Sequence, residues 1–326
     1  INIITLGCSK NTVDSEHLAA QLHEYGYTIV FDSDRTDADV VVINTCGFIG
    51  DAKQESIDTI LRAAELKTAG KIEELFVVGC LSQRYADELR PALPEVDDFF
   101  GVHDWAGIVE RLGAKYRNEN ETKRELSTPS HYAYLKISEG CNWMCGYCAI
   151  PLIRGRHKSV PMEALIAEAE SLVAKGVREI MVIAQDTTYY GVDIYGERKI
   201  AELLERLCRI EKLEWIRLHY AYPTDFPDEA IEVMARQKKI CRYLDIPFQH
   251  ISDNQLSAMK RRHTKADALR LVEKLRASIP DIALRTTLLV GYPGETEEDF
   301  AELMEFVRDT KFDRLGVFPY SEEEGT

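Results

Sequence analysis

The chain has 326 residues, 45% of them apolar, and 55 acidic against 40 basic side chains give it a net charge of −15. That length exceeds what one core usually fills, so two globular domains are expected, and the acidic balance argues against a chain that coats nucleic acid through its overall field while suiting a basic partner. No run approaches the ~18 apolar residues of a membrane span and INIITLGCSK lacks a signal-peptide pattern, so the expectation is a cytoplasmic protein with no membrane association.

From the start to about residue 116, apolar runs alternate with helical patterns: IITLGC, NTVDSEHLAAQLHEYG, VVVINTC, DAKQESIDTILRAAELK and LFVVGC. This is the rhythm of a parallel sheet covered by helices, and strands buried on both faces read as continuous apolar runs. Residues 117–131, RNENETKRELSTPSH, have no apolar periodicity and read as a linker. Strand-like runs then recur at YAYLKIS, EIMVIAQD, WIRLHYAY, YLDIPFQ, ALRTTLLVGY and RLGVFPYS, with helical stretches such as PMEALIAEAESLVAKG and KADALRLVEKLRASI between them. Such a series predicts a barrel or partial barrel of parallel strands, with chemistry collected at the strands' C-terminal ends. The expected organisation is an α/β fold in two parts: an N-terminal parallel-sheet domain at 1–120, a linker at 121–131 and a barrel domain at 132–326. The chain ends at YSEEEGT, where a covering helix is still expected, and so reads as cut short.

Cytosolic thiols stay reduced, which makes the eight cysteines candidate ligands. EGCNWMCGYCAIP, residues 139–151, places Cys141, Cys145 and Cys148 in the loop after the first barrel strand. Iron–sulfur clusters commonly take four thiolates and a closed zinc site four ligands, so three thiols leave one metal position open to a small molecule. The alternative is a zinc site completed by His157 or another residue. Cys8, Cys46 and Cys80 each close an apolar run, and a parallel sheet brings all three out at one edge. One strand-end cysteine is most often a small buried hydrophobe; three in equivalent places point to shared ligation. Cys208 and Cys241 have no such company and read as packing residues.

The three-then-two spacing, with Tyr147 just before the last cysteine, resembles the radical S-adenosylmethionine (SAM) superfamily. The resemblance implies that Cys141, Cys145 and Cys148 bind a 4Fe-4S cluster whose fourth iron takes SAM, and that reductive cleavage yields a 5'-deoxyadenosyl radical. Both cysteine sets, with GCSKNTVDSE, NTCGFI, VVGCLSQRY and LLVGYPGETEEDF, are similar to the methylthiotransferases of that superfamily over essentially the whole chain. That family implies an N-terminal methylthiotransferase domain with a second 4Fe-4S cluster on Cys8, Cys46 and Cys80, followed by a radical SAM core built as a partial (β/α)6 TIM-like barrel. It also implies sulfur transfer from the auxiliary cluster and an electron donor such as flavodoxin or ferredoxin. The family's C-terminal TRAM domain is expected to be absent from this chain.

AQDTTYYGVDIYG, LHYAYP and DIPFQHIS resemble the branch that modifies an aspartate of a small-subunit ribosomal protein rather than adenosine in transfer RNA. The acidic charge agrees with a basic ribosomal partner. Val160, in HKSVP, departs from the arginine usual after that serine. A noncatalytic iron–sulfur sensor or scaffold is the reading of another class. Gln185, Asp186, Asp245 and Arg285, with Gln249, fall at or near strand ends, where they can hold SAM or substrate or serve only as barrel-interior hydrogen bonds. Gly291 and Gly294, with Pro293, resemble the segment that lies along the adenine, and glycine permits close backbone approach. Basic clusters at IRGRHK (Arg154, Arg156, His157, Lys158) and MKRRHTK (Lys260, Arg261, Arg262, His263, Lys265) are candidate ribosomal RNA contacts; solvated loop charge is the alternative, favoured for the second.

Overall fold

The computed structural model describes residues 1–33, 38–120 and 122–326. The chain divides into two units, one formed by Ile1–Pro129 with Leu152–Arg154 and Gly325, the other by the remaining residues from Ser130 onward.

In the first unit the order is β1 (Asn2–Thr5), α1 (Ser9–His23), β2 (Val30–Phe31), β3 (Val40–Thr45), α2 (Gly50–Thr68), β4 (Glu74–Gly79), α3 (Cys80–Ala92), β5 (Asp98–Phe99) and α4 (Trp105–Arg111). The sheet is parallel in the order β2-β1-β3-β4-β5. Successive residues of β3 serve opposite faces because side chains alternate along a strand. Val40 and Val42 join Leu18 and Leu22 of α1 and Ile108 of α4, whereas Val41 and Ile43 join Ile60, Ala63 and Ala64 of α2. Covered on both sides, β3 is buried at every position, and each such aliphatic side chain contributes about 1.5–3 kcal/mol. The strand order reverses between β1 and β3, which opens a crevice at their C-terminal ends.

The segment read as a linker is anchored. Glu16, buried on α1, accepts from Arg124 Nε at 2.9 Å and from both the backbone N–H and the hydroxyl of Ser127 at 2.8 Å. A carboxylate buried in a helix face needs such a cation, and the polar tract supplies it. Glu121, within that tract, lies outside the described residues.

The second unit runs β6 (Tyr132–Lys136), β7 (Ser138–Glu139), α5 (Ile150–Arg154, its last three residues counted with the first unit), β8 (Lys158–Ser159), α6 (Met162–Ala174), β9 (Glu179–Ile183), α7 (Val192–Tyr195), α8 (Ile200–Cys208) and β10 (Trp215–Leu218). It continues with α9 (Asp228–Arg236), β11 (Ile240–Asp245), α10 (Asp253–Ala258), α11 (Lys265–Ser278), β12 (Ala283–Val290), α12 (Glu297–Thr310) and β13 (Arg314–Pro319). Six strands form one parallel sheet in the order β13-β12-β11-β10-β9-β6, each neighbour the next in chain order, as a partial (β/α)6 barrel requires. Thr264 and Thr296 start α11 and α12 with capping boxes closed by Asp267 and Asp299. No helix among the described residues is long and apolar enough to cross a membrane.

Candidate functional site

The cysteine loop of the barrel unit is closed at its base by β7 and β8, which pair antiparallel as Ser138↔Ser159 and Glu139↔Lys158. Inside that clamp Cys141 N–H donates to Gly155 O at 3.1 Å, and Asn142 Oδ1 accepts from His157 N–H at 3.1 Å. Met144 takes φ +53°, a strained value for a side-chain-bearing residue, between the first two cysteines. The turn ends with Cys148 N–H on Cys145 O at 3.1 Å, and Gly146 N–H is tied to Met259 O at 2.9 Å. Burial pushes the Cys141 thiol up to about 11 and the Cys148 thiol to about 12, the first also raised by Cys145 and the second by Cys145 and Cys141. Burial thus favours the neutral thiol over the thiolate at both positions.

A stack behind Cys145 fixes the loop. Trp143 lies parallel to Tyr222 at 4.2 Å, Arg261 covers the Tyr222 ring at 4.1 Å, and the Tyr222 hydroxyl is 3.8 Å from Cys145 Sγ. Arg261 also donates to Cys145 Sγ at 3.7 Å, to the Tyr147 hydroxyl at 3.4 Å and to Pro247 O at 2.6 Å. Asp186 accepts from Trp143 Nε1 at 2.6 Å, from the backbone and hydroxyl of Thr188 at 2.8 and 2.7 Å, and from Tyr222 N–H at 3.3 Å. Its carboxylate thus helps to hold the loop, the interior hydrogen bonding that was the alternative to a SAM contact.

The other expected contacts are spread over neighbouring strand ends. Gln185 follows β9, half-buried; Asp245 ends β11 and pairs in register with Arg285 of β12, their charged groups 3.6 Å apart. Gln249 takes φ +72° and bridges to Leu288. Gly291 and Gly294 take φ of +75° and +86°, and no protein atom lies within 4 Å of where a Cβ would stand on either, leaving room beside the backbone. The loop bearing them is held by His250 and Glu295, which no motif or spacing singles out. His250 Nδ1 accepts from Ser252 N–H at 3.0 Å, so its Nε2 carries the hydrogen donated to Glu295 at 3.0 Å. A cavity of about 380 Å³ beside the cysteine loop is lined by Asn142, Trp143, Tyr189, Arg198 and Arg262, of which the sequence had pointed only to Arg262, as part of a basic cluster.

Each basic cluster is divided between buried and exposed side chains. Arg154 is buried in the first unit, donating to Asn11 Oδ1 at 2.5 Å and Asp14 Oδ2 at 3.3 Å, and His157 is buried with Ser159 Oγ 2.9 Å and Asp193 3.6 Å from Nε2. Neither side chain is exposed to solvent. Arg261 and His263 are buried too, so the second cluster is not simply solvated charge; Arg156, Lys158, Lys260 and Arg262 remain exposed. Val160 is bonded through its backbone, N–H to Ile137 O and O from the Tyr190 hydroxyl, both at 2.9 Å.

At the edge of the first unit's sheet, Cys8 is the N-cap of α1, Cys46 follows β3 and Cys80 opens α3. Two of the three thus sit at helix N-termini, where free N–H groups and the helix dipole favour thiolates. Their loops are pressed together. A Cβ on Gly7 would stand 2.8 Å from Cys46 Cβ, and one on Gly47 would stand 2.7 Å from the Leu81 backbone and 2.8 Å from Cys80 C. Only glycine allows these approaches. Burial raises the Cys46 thiol to about 11, with Cys80 and Cys8 adding to the shift, and burial raises Cys80 as well against the pull of Arg154. Among the described residues no three His, Cys, Asp or Glu side chains close around a single ion. In each unit the three cysteines nevertheless lie near enough that their neighbours raise the buried thiols further.

Residues 135–307 match the Radical SAM superfamily, and residues 1–101 match Uncharacterized protein family UPF0004. The chain is 56% identical over 326 residues to the ribosomal protein uS12 methylthiotransferase RimO of Bacteroides fragilis, spanning 100% of this chain and 76% of that protein. To the same enzyme of Porphyromonas gingivalis the identity is 53%, over 100% of this chain and 75% of that protein. Among solved structures, the radical SAM methyltransferase TsrM of Kitasatospora setae gives a TM-score of 0.68 at 15% identity, over 98% of this chain and 74% of that one. The cobalamin-dependent SAM radical enzyme OxsB gives 0.64 at 12% identity, over 94% and 51%. At these identities the structural likeness is one of fold. With half of its length matched by one superfamily model and all of it aligned to uS12 methylthiotransferases, the chain belongs to the radical SAM superfamily and, within it, to the family of ribosomal protein uS12 methylthiotransferases.

Proposed function

We propose that this enzyme attaches a methylthio group to the β-carbon of an aspartate in ribosomal protein uS12, with one 4Fe-4S cluster on Cys141, Cys145 and Cys148 and another on Cys8, Cys46 and Cys80. The observation that carries the reading is 56% identity to a uS12 methylthiotransferase across all 326 residues. When bound, the barrel cluster and SAM supply a one-electron cleavage whose carbon radical removes hydrogen from an unactivated C–H bond.

The chain's own residues bind and orient. The thiols of Cys141, Cys145 and Cys148 would hold the cluster and leave a position open to SAM, and the Trp143–Tyr222 stack, tied down by Asp186, keeps the ligand turn in place. The Asp245–Arg285 pair and Gln185 present polar groups at the strand ends, where ribose and methionine groups can be held. The space beside Gly291 and Gly294 suits a flat ring lying against backbone. In the first unit, helix N-termini at Cys8 and Cys80 favour the anionic ligands of the auxiliary cluster.

Iron and sulfide analysis after anaerobic reconstitution tests the two-cluster arrangement. About eight irons per chain are expected, falling to about four when Cys8, Cys46 and Cys80 are all replaced by Ala, with 5'-deoxyadenosine formation retained. About four irons in both proteins would remove the auxiliary cluster. Clusters that form with no 5'-deoxyadenosine on reduction would make the chain a noncatalytic sensor.

A further inference from the structure

Arg261 is buried in the barrel unit, and its position poses a charge problem. Its guanidinium donates to the Tyr147 hydroxyl, to Pro247 O and to Cys145 Sγ, and lies on the Tyr222 ring. None of these partners is a carboxylate, and the buried Nε–H has no acceptor at all. Arginine keeps its charge in any protein, and a buried charge without a counter-charge is strongly disfavoured. A hydroxyl, a carbonyl, a neutral thiol and a ring would be served as well by a neutral donor. A permanent cation is explained if an anion belongs beside it.

The geometry says where that anion is. Cys145 Sγ, the middle thiol of the loop, is 3.7 Å from Arg261 Nη1. Once Cys141, Cys145 and Cys148 are ligands their protons are gone, and three thiolates with the cluster's sulfides put negative charge against the guanidinium. Charge and hydrogen bonds at the sulfurs are among the terms that set a cluster's reduction potential. The reduced cluster carries one more negative charge than the oxidised one, so a fixed cation favours it.

We propose that Arg261 is a positioning residue for the barrel cluster: its N–H fork orients Cys145, and its fixed charge stabilises the one-electron-reduced form that must cleave SAM. This rests on the reading that the Cys141 loop carries a 4Fe-4S cluster. No bond of Arg261 forms or breaks; the electron comes from the external donor, dithionite in the test.

The experiment measures the midpoint potential of the barrel cluster alone, in full chain with Cys8, Cys46 and Cys80 replaced by Ala, by anaerobic titration with dithionite and mediator dyes followed by electron paramagnetic resonance. The parent, Arg261→Lys and Arg261→Gln are compared at equal iron content, with far-UV circular dichroism to confirm folding. The midpoint is expected to move to more negative potential in Arg261→Lys, which keeps the charge but loses the fork, and further in Arg261→Gln, which loses both. A folded, iron-loaded variant of either kind with the parent's midpoint would overturn the proposal. If the Gln variant does not fold, the Lys variant decides alone, because loss of the fork must still shift it. A parent that takes up no iron would instead overturn the cluster reading, leaving the two failures distinguishable.

Discussion

Arg261 and His263 are two residues apart in one loop, both buried, and the fold makes opposite demands on them: the first must stay charged and the second neutral. His263 packs edge-on against Tyr222 and Phe248, and neither ring nitrogen has a partner. Burial lowers its pKa to about 3, with the Arg261 charge adding to the effect. In the unfolded chain the same group titrates near 6.5, so below that pH the unfolded state takes a proton that the native state refuses until about 3. Stability contributed by neutral His263 is therefore intact above pH 6.5 and declines as pH falls from there towards 3. Between pH 7 and pH 5 this removes about 2 kcal/mol. Urea unfolding of the cluster-free protein should lose about that much more between those pH values than His263→Gln does; equal losses would contradict the burial argument. The cysteines were legible because their spacing and strand-end placement are properties of the chain itself. The burial of Arg261 and His263 was not, because the groups that enclose them, Cys145, Tyr147, Tyr222 and Phe248, come from other loops, and MKRRHTK alone looks like any solvated turn. Asp186 was half legible: its place at a strand end could be read, but not that Trp143 and Thr188 use its oxygens.

Among the elements, those buried on two faces announced themselves. VVVI and LFVV are continuous apolar runs because helices cover both sides of β3 and β4. The strands missed are the two-residue β2, β5, β7 and β8, too short for any periodicity; β7 and β8 matter most, since they close the cysteine loop. The polar tract after residue 116 was read correctly as lacking periodicity, but what holds it is a buried ion pair, to which a pattern of apolar residues is blind. Replacing Arg124 by Met leaves Glu16 buried without its cation. A loss of about 3–5 kcal/mol is expected, read as a lower urea midpoint for the first unit, with the Glu16→Gln, Arg124→Met double variant recovering part of it. An unchanged midpoint in Arg124→Met would show that Glu16 is solvated.

For the whole molecule, the proposed reading assigns the two sets of three thiols, one in each parallel-sheet unit, to two tasks: the barrel set to the radical chemistry and the other to the sulfur that is transferred. The sequence carried this through resemblance, since no spacing reveals what a radical is used for. The substrate rests on stretches such as QDTTYYG and on 56% identity to a uS12 methylthiotransferase, with a net charge of −15 that complements a basic ribosomal protein. The most direct test offers the anaerobically reconstituted protein purified uS12 and transfer RNA together, with SAM, sulfide and dithionite, and weighs both by mass spectrometry. The account predicts a gain of one methylthio group on a single aspartate of uS12 and none on the RNA. A gain on transfer RNA alone would contradict it.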